Sequence, residues 1–418
     1  MALTPLYEAL EAILATAQPS TSIETVPLTE ALHRYVAAEI PSMRAVPPAD
    51  NSAMDGYAVR SEDLPGILPV SQRIPAGHSP TPLTPGTAAR IFTGAVIPAG
   101  ADAVILQEDA ERTDDTVRLP RAVSGQHIRR RGDDIQPGDR LVAQGQWLQP
   151  HDIGLLASVG LDEVGVFQPL KVALLTTGDE LREPGSGDLE SGQIYNSNRV
   201  SLAAQIRSLG MIPVDLGNVP DQPEAIGAAL EQAADSADCI VTAGGVSVGE
   251  EDHVRGQIEK RGALTLWKLA IKPGKPLAFG EVMNTPIFGL PGNPVSAWVT
   301  FELVARPYLI KQQGGVVSPE PRFPVRAGFS VARPGSREEF VRISLVGNGE
   351  AMRAVLTGSQ SSGVLTSLSQ ADGLAVIPAG TTVSEGDWLE VITLASLCLL
   401  YTSPSPRDRT RSRMPSSA

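Results

Sequence analysis

Four short segments carry side chains suited to an anionic, phosphate-bearing ligand. Thr176-Thr177-Gly178-Asp179-Glu180 follows the apolar run KVALL, and its hydroxyls and acids could hold a phosphate ester and a metal-bound water; a turn with helix-cap chemistry would use the same residues. Thr242-Ala243-Gly244-Gly245-Val246-Ser247-Val248-Gly249 leads into Glu250, Glu251 and Asp252. Paired glycines let backbone N–H groups approach an anion at a helix N-terminus. The acids would also satisfy the helix dipole with no ligand present. In the third segment Lys268, Lys272 and Lys275 fall within eight residues beside an apolar run, and Pro273 and Pro276 stiffen the segment. This pattern suits a preorganised oxoanion pocket, with a solvated basic loop as the alternative. Leu290-Pro291-Gly292-Asn293-Pro294-Val295-Ser296 reads as an N-cap and first helical turn, which is also an anion seat.

A further cluster, PPADNSAMDGYAVR, holds Asp50, Asn51, Ser52, Asp55, Tyr57 and Arg60, and polar turns at Thr93-Gly94 and Arg129 to Asp134 accompany it. Strand formation explains none of these residues, although a self-capping turn would account for any one of them alone. The chain has neither a Walker A sequence nor a GxGxxG run, so ordinary NTPase and Rossmann dehydrogenase readings lose support.

The elements that must position these residues change character along the chain. Residues 1–42 and 139–168 read as one helical region, with stripes at Leu6, Leu10, Ile13 and Leu14, then at Thr29 to Ala38 behind a Thr29 cap, and again at Ile153, Leu155, Leu156 and Val159. Between them, residues 43–138 consist of short β-like runs separated by Pro and Gly, a β-rich lobe inserted into that region. From 169 to 312 apolar strands alternate with helix stripes at Leu202, Ile206, Leu209 and at Ile226, Leu230, Ala233, the signature of parallel βαβ units, and a long helix runs from Pro294 to about Lys311. Ligands of such sheets bind beyond the carboxyl ends of the strands, where the four loaded segments fall. Residues 318–396 read as a small all-β domain. Residues 397–418 carry four Arg and one Asp after a much more acidic body and are expected to be a non-native tail.

With 418 residues the chain has room for two to four domains. Its 34 Lys and Arg against 47 Asp and Glu give a net charge of -13, which argues against a nucleic-acid backbone as partner. Cys239 and Cys398 are the only cysteines, so a disulfide framework and a Cys-built metal site are excluded. The N-terminal stretch lacks the pattern of a signal peptide, and no apolar run is long enough to span a membrane; a cytoplasmic location is expected.

NSAMDGYAVR, RIFTGAVIPAGADAVI, IRRRGDDI, TTGDEL, TAGGVSVGEEDH, WKLAIKPGKP and GLPGNPVSA, in that order, resemble molybdopterin molybdenumtransferases of the MoeA type and the related E domain of gephyrin, from about residue 5 to 396. The resemblance implies a multidomain α/β plus β protein: a MogA-like parallel α/β domain, the inserted lobe, a helical N-terminal region and a C-terminal β-barrel, assembled as an elongated homodimer. It implies insertion of molybdate into adenylylated molybdopterin with release of AMP, assisted by Mg2+. Family active-site positions fall on Asp55, Thr93, Asp134, Glu180, Asp221, Asp252, Lys268, Lys272, Pro291 and Pro294, with Ser362 and Arg337 in the C-terminal domain; Gly244, Gly245, Ser247 and Lys275 join them as ligand contacts. Glu180 and Asp252 are the candidate Mg2+ ligands, and Asp221 would equally cap the helix that begins near Pro223. A MogA-like adenylyltransferase and apo-molybdoenzymes are the implied partners. A MogA-like adenylyltransferase activity would leave the lobe and barrel unexplained, and a noncatalytic gephyrin-like scaffold is the other alternative.

Overall fold

The computed structural model describes residues 3–19, 22–245 and 253–398. Leu6, Ala9 and Ile13 lie on one face of the first helix, Leu6–Thr16, and are buried. The second expected helix is absent. After a 3-10 turn at Leu28–Glu30, His33 turns the chain at φ 61, and Tyr35 and Val36 form β-bridges to Trp147 and Val166. The backbone N–H groups of His33, Val36 and Ala37 donate to Leu148, Gln146 and Gly165 carbonyls at 3.0 Å each. An aromatic and a β-branched residue thus serve a distant pairing that overrides the local helical spacing. The returning segment divides in the same way, into helix Pro150–Ser158 and strand Glu163–Phe167, the latter antiparallel to Ile23–Pro27.

The chain enters and leaves the lobe side by side, because Asn51-Ser52 pairs with Ile128-Arg129. Inside it, a six-stranded sheet is built around Gly56–Val59, which lies between Ala88–Ile91 and Ala103–Leu106. Glycine is required at 56, since a Cβ there would lie 1.8 Å from the Ile105 carbonyl oxygen.

In the α/β domain the strands are β1 (Lys171–Thr177), β2 (Ile212–Val219), β3 (Cys239–Ala243), β4 (Gly262–Lys268), β5 (Pro276–Val282) and β6 (Thr285–Leu290). They form one sheet in the order β2-β1-β3-β6-β5-β4. The first four in that order are parallel, whereas β5 runs antiparallel to both of its neighbours, β6 and β4, so that β4 points the same way as the parallel set. The parallel units expected from the sequence are continued by a strand of opposite direction, because Met283-Asn284, both at positive φ, joins β5 directly to β6, and a tight hairpin forces antiparallel pairing. Alternate residues of β1 serve opposite cores. Val172 and Leu174 face helix α1 (Ser197–Ser208) through Leu202, Ile206 and Leu209; Ala173 and Leu175 face α2 (Pro223–Ser236) and α3 (His253–Arg261) through Ile226, Leu230, Val254 and Ile258. The expected long helix is continuous in path, but a π segment at Phe301–Ala305 separates α4 (Pro294–Thr300) from α5 (Arg306–Gln312). Pro307 lacks the N–H that would continue the regular ladder there.

The C-terminal strands Phe323–Ala327, Glu338–Val346, Arg353–Leu356, Gly373–Ile377 and Trp388–Thr393 close into a five-stranded barrel through the pairing of Glu338–Val346 with Gly373–Ile377. The short helix Leu394–Cys398 follows, and Leu397 is buried in the core, so residue 397 belongs to the folded body and not to the expected tail. No helix among the described residues is long and apolar enough to cross a membrane.

Beneath α1 the π segment buries Glu302, whose Oε1 accepts a hydrogen bond from Gln205 at 2.7 Å and whose Oε2 lies 3.7 Å from Arg306 Nε. Burial raises the Glu302 carboxyl to about 7 despite Arg306 and Gln205. An acid raised above its unfolded value makes a contribution to stability that is complete below about 4.5 and lost as pH rises through about 7. The neutral Glu302→Gln variant should therefore flatten the pH profile of urea denaturation in that interval and be more stable than the parent above it. Parallel pH profiles for the two proteins would show that Glu302 is ionised throughout.

Candidate active site

The order β2-β1-β3 means that the chain leaves β1 for one neighbour and returns on its other side, which opens a crevice at the carboxyl ends of β1 and β3. The loops after β1, β3 and β6 meet there and line a cavity of about 720 Å³. Thr177 and Glu180 come from the first loop, Gly244 and Gly245 from the second, and Pro291, Gly292 and Pro294 from the third.

The loops are held at close quarters. A Cβ on Gly245 would lie 2.5 Å from Val254 Cγ2 and 2.7 Å from Thr177 Oγ1, and the residue sits at φ +66. Gly292 approaches Gly244 closely enough that a Cβ would be 3.9 Å from its Cα. Asn293 stands at the N-cap position of α4 without a side-chain cap bond; the Val295 N–H instead donates to the Ser362 carbonyl at 3.0 Å. This contact brings a barrel loop to the cavity, where Gly363 and Leu365 complete the wall. The buried Arg342 supports that loop, donating through Nη2 to the Ser359 and Ser361 carbonyls at 3.3 and 3.0 Å.

Three contributors went unnoticed in the sequence. Asn196 caps α1 by accepting from Arg199 N and, fully buried, donates to Thr176 Oγ1 at 2.8 Å. Asn198 donates to the Gly292 carbonyl at 2.7 Å, tying the start of α1 to the loop after β6. Tyr195 lines the same cavity. The Asn-Ser-Asn run just ahead of the Leu202 stripe was the available signal, since it is an N-cap sequence.

The lysine segment lies at a different junction. Ile271-Lys272 leaves the α/β sheet and pairs in parallel with Glu338-Glu339 of the barrel. There Lys272 Nζ is 3.1 Å from Glu339 Oε2, and Arg337 Nη1 donates to the Ile271 carbonyl at 2.9 Å. Lys268 is the register partner of Pro276, which reaches the cavity wall. Lys275 accepts from Leu269 N through its carbonyl at 2.7 Å.

In the lobe, Asp55 Oδ1 accepts from both the backbone N–H and the hydroxyl of Thr93 at 2.8 Å. Those bonds hold its carboxyl below the ordinary carboxylate range, so Asp55 is an anion at neutral pH. Asp134 lies in the turn whose Arg130 and Arg131 bind Asp50, and its own N–H donates to the Val46 carbonyl at 3.0 Å. Asp55, Thr93 and Asp134 do not line the cavity of their own chain. Asp221 is exposed, and the N-cap of α2 is Gln222, with no side-chain cap bond. Ser247 and Asp252 lie outside the described residues. Among the described residues no three acid, His or Cys side chains converge as a metal cage.

Comparison with known proteins accounts for this arrangement. Residues 4–160 match the MoeA N-terminal region (domain I and II), 173–311 a "probable molybdopterin binding domain", and 324–394 the MoeA C-terminal region (domain IV). The chain is 43% identical over 330 residues to a molybdopterin molybdenumtransferase of Haemophilus influenzae, covering 77% of this chain and 81% of that protein. To molybdopterin molybdenumtransferase 2 of Mycobacterium tuberculosis it is 39% identical over 386 residues, covering 88% and 94%. The crystal structure of the molybdopterin biosynthesis MoeA protein of Pyrococcus horikoshii superposes with a TM-score of 0.81 at 29% identity, covering 94% of this chain and all of that one. With matched regions in the helical segment and lobe, the α/β domain and the barrel, and with relatives of one name aligned over most of its length, the chain belongs to the MoeA family of molybdopterin molybdenumtransferases.

Proposed function

We propose that this protein inserts molybdate into adenylylated molybdopterin and releases AMP, completing the molybdenum cofactor in the cytoplasm. The observation that carries the reading is the convergence of three strand-end loops, two of them glycine- or proline-gated, on one cavity at the switch point of the sheet. The side-chain-free backbone at Gly244 and Gly245 lets a phosphate approach closely, and molybdate is a tetrahedral oxoanion of similar demand. Opening the adenylate bond requires neutralising charge that develops on phosphate oxygens; Lys268, the register partner of cavity-lining Pro276, and Lys272 would supply it from the junction between the α/β domain and the barrel. Arg337 and Ser362 would bind the oxoanion end from the barrel side with Lys275 contributed by the α/β domain, and Asp221, Ser247, Pro291 and Pro294 would border the nucleotide.

Mg2+ commonly takes one or two carboxylates, several waters and substrate phosphates. Glu180 on the cavity wall fits that donor set, with Asp252 as its proposed second carboxylate; the ion would supply positive charge beside the phosphate. Asp55, Thr93 and Asp134 enter the reading through a homodimer in which the lobe of one copy faces the cavity of its partner. Their absence from their own chain's cavity supports it. A MogA-like adenylyltransferase would supply the substrate and apo-molybdoenzymes would take the product.

The direct test is molybdenum-cofactor formation and AMP release from adenylylated molybdopterin and molybdate by the purified protein. No AMP release would overturn the assignment. In the same assay, Lys268→Ala or Lys272→Ala should remain folded yet bind AMP or the adenylylated substrate about 1.5 to 3 kcal/mol more weakly, the value of a charge-assisted hydrogen bond. Unchanged binding in both variants would remove the lysines from the site.

A further inference from the structure

We infer that Tyr195 is a stacking platform for the planar heterocycle of the bound ligand and so determines ring specificity at the cavity, a proposal that rests on the cavity being the molybdopterin-nucleotide site. Tyr195 is the one aromatic side chain lining that cavity among the described residues, and it remains 43% exposed. Its placement is built, not incidental. The phenol donates to the Gly187 carbonyl at 2.7 Å, which occupies the polar tip and leaves the ring as apolar surface.

The backbone on both sides of the ring is fixed. Ile194-Tyr195 pairs in parallel with Leu181-Arg182, the Ile194 N–H donates to the Glu180 carbonyl and the Asn196 N–H to the Arg182 carbonyl, each at 2.8 Å. Asn196, the next residue, is buried as the cap of α1. Arg199 pairs with both Glu183 and Asp215, tying the segment after Leu181-Arg182 and the start of α1 to β2. A rigid aromatic plane therefore stands beside Glu180, with the oxoanion-suited glycines and Pro291, Gly292 and Pro294 also lining the cavity. Nothing in the core requires the ring, and a half-exposed aromatic in a polar cavity offers what a ligand's π-face needs.

The recognised chemistry is a planar nitrogen heterocycle, which could be the purine of the nucleotide or the pterin. Isothermal titration of the full chain with AMP, with neopterin and with ribose 5-phosphate separates these sources. Tyr195→Leu keeps apolar bulk and removes the plane; it should weaken AMP, or neopterin, by about tenfold or more while leaving ribose 5-phosphate unchanged. Tyr195→Phe keeps the ring without its Gly187 anchor and should stay within about threefold of the parent, because stacking does not need the hydroxyl. Loss confined to AMP assigns the purine, and loss confined to neopterin assigns the pterin. A Leu variant that binds both ring ligands like the parent, or that loses ribose 5-phosphate equally, would overturn the platform and leave the cavity reading standing. A parent protein that binds none of the three would overturn the cavity reading together with it.

Discussion

Gly245→Ala is expected to reduce molybdenum-cofactor formation by about a hundredfold or more, the scale of loss when reacting groups are misplaced by roughly an ångström. Two effects act together. The residue sits at φ +66, where an L side chain is strained, at a cost of about 1 to 3 kcal/mol. The added Cβ would also meet Val254 Cγ2 at 2.5 Å and Thr177 Oγ1 at 2.7 Å. Both neighbours belong to the site's frame, since Thr177 ends β1 and lines the cavity, and Val254 is buried in the first turn of α3. The loop must therefore move away from β1, and the glycine N–H groups move with it. A matched Gly256→Ala variant, where a Cβ meets nothing within 4 Å, should keep full activity and gain slightly in helix stability. Equal activity of the two variants would show that the glycine pair does not shape the reaction site.

The second large effect concerns two chains. If the proposed homodimer and site are right, Asp55→Asn and Glu180→Gln proteins should each lose about two orders of magnitude in activity, because each change removes an anion proposed to orient the phosphate-bearing substrate. The two residues belong to different domains, and only Glu180 lines the cavity of its own chain. If the lobe of one copy completes the cavity of the other, a mixed dimer has one site with both changes and one with neither. Co-expression with distinct tags and tandem purification should recover about half of the parent activity per dimer. A mixed dimer as inactive as its parents would place both residues in a site built within one chain. Asp55 is suited to this comparison because its carboxylate accepts two bonds of 2.8 Å from the single residue Thr93, so the amide variant disturbs little else in the lobe.

The sequence by itself determined the alternation of β1 to β3 with α1 and α2, since strands covered on both faces are nearly continuous apolar runs and helices mark their buried face every three to four residues. It also marked the loops after β1, β3 and β6 as chemically loaded, because hydroxyl, acid, paired glycine and Pro-Gly-Asn residues have no core role at strand ends. Tertiary structure decided which of those loops meet. Pairings of β1 with β3 and of β3 with β6 join residues far apart in the chain, and no local period encodes a distant partner. The same reason explains Thr29 to Ala38, whose helical spacing yields to bridges with Trp147 and Val166, and the antiparallel β5, whose direction is set by a two-residue hairpin. It explains the lysines as well: they are adjacent in sequence to an α/β strand, yet the pairing of Ile271-Lys272 with Glu338-Glu339 carries Lys272 to the barrel. Local side-chain pattern specifies burial and periodicity, while the geometry of a site depends on which buried faces find each other across the whole chain.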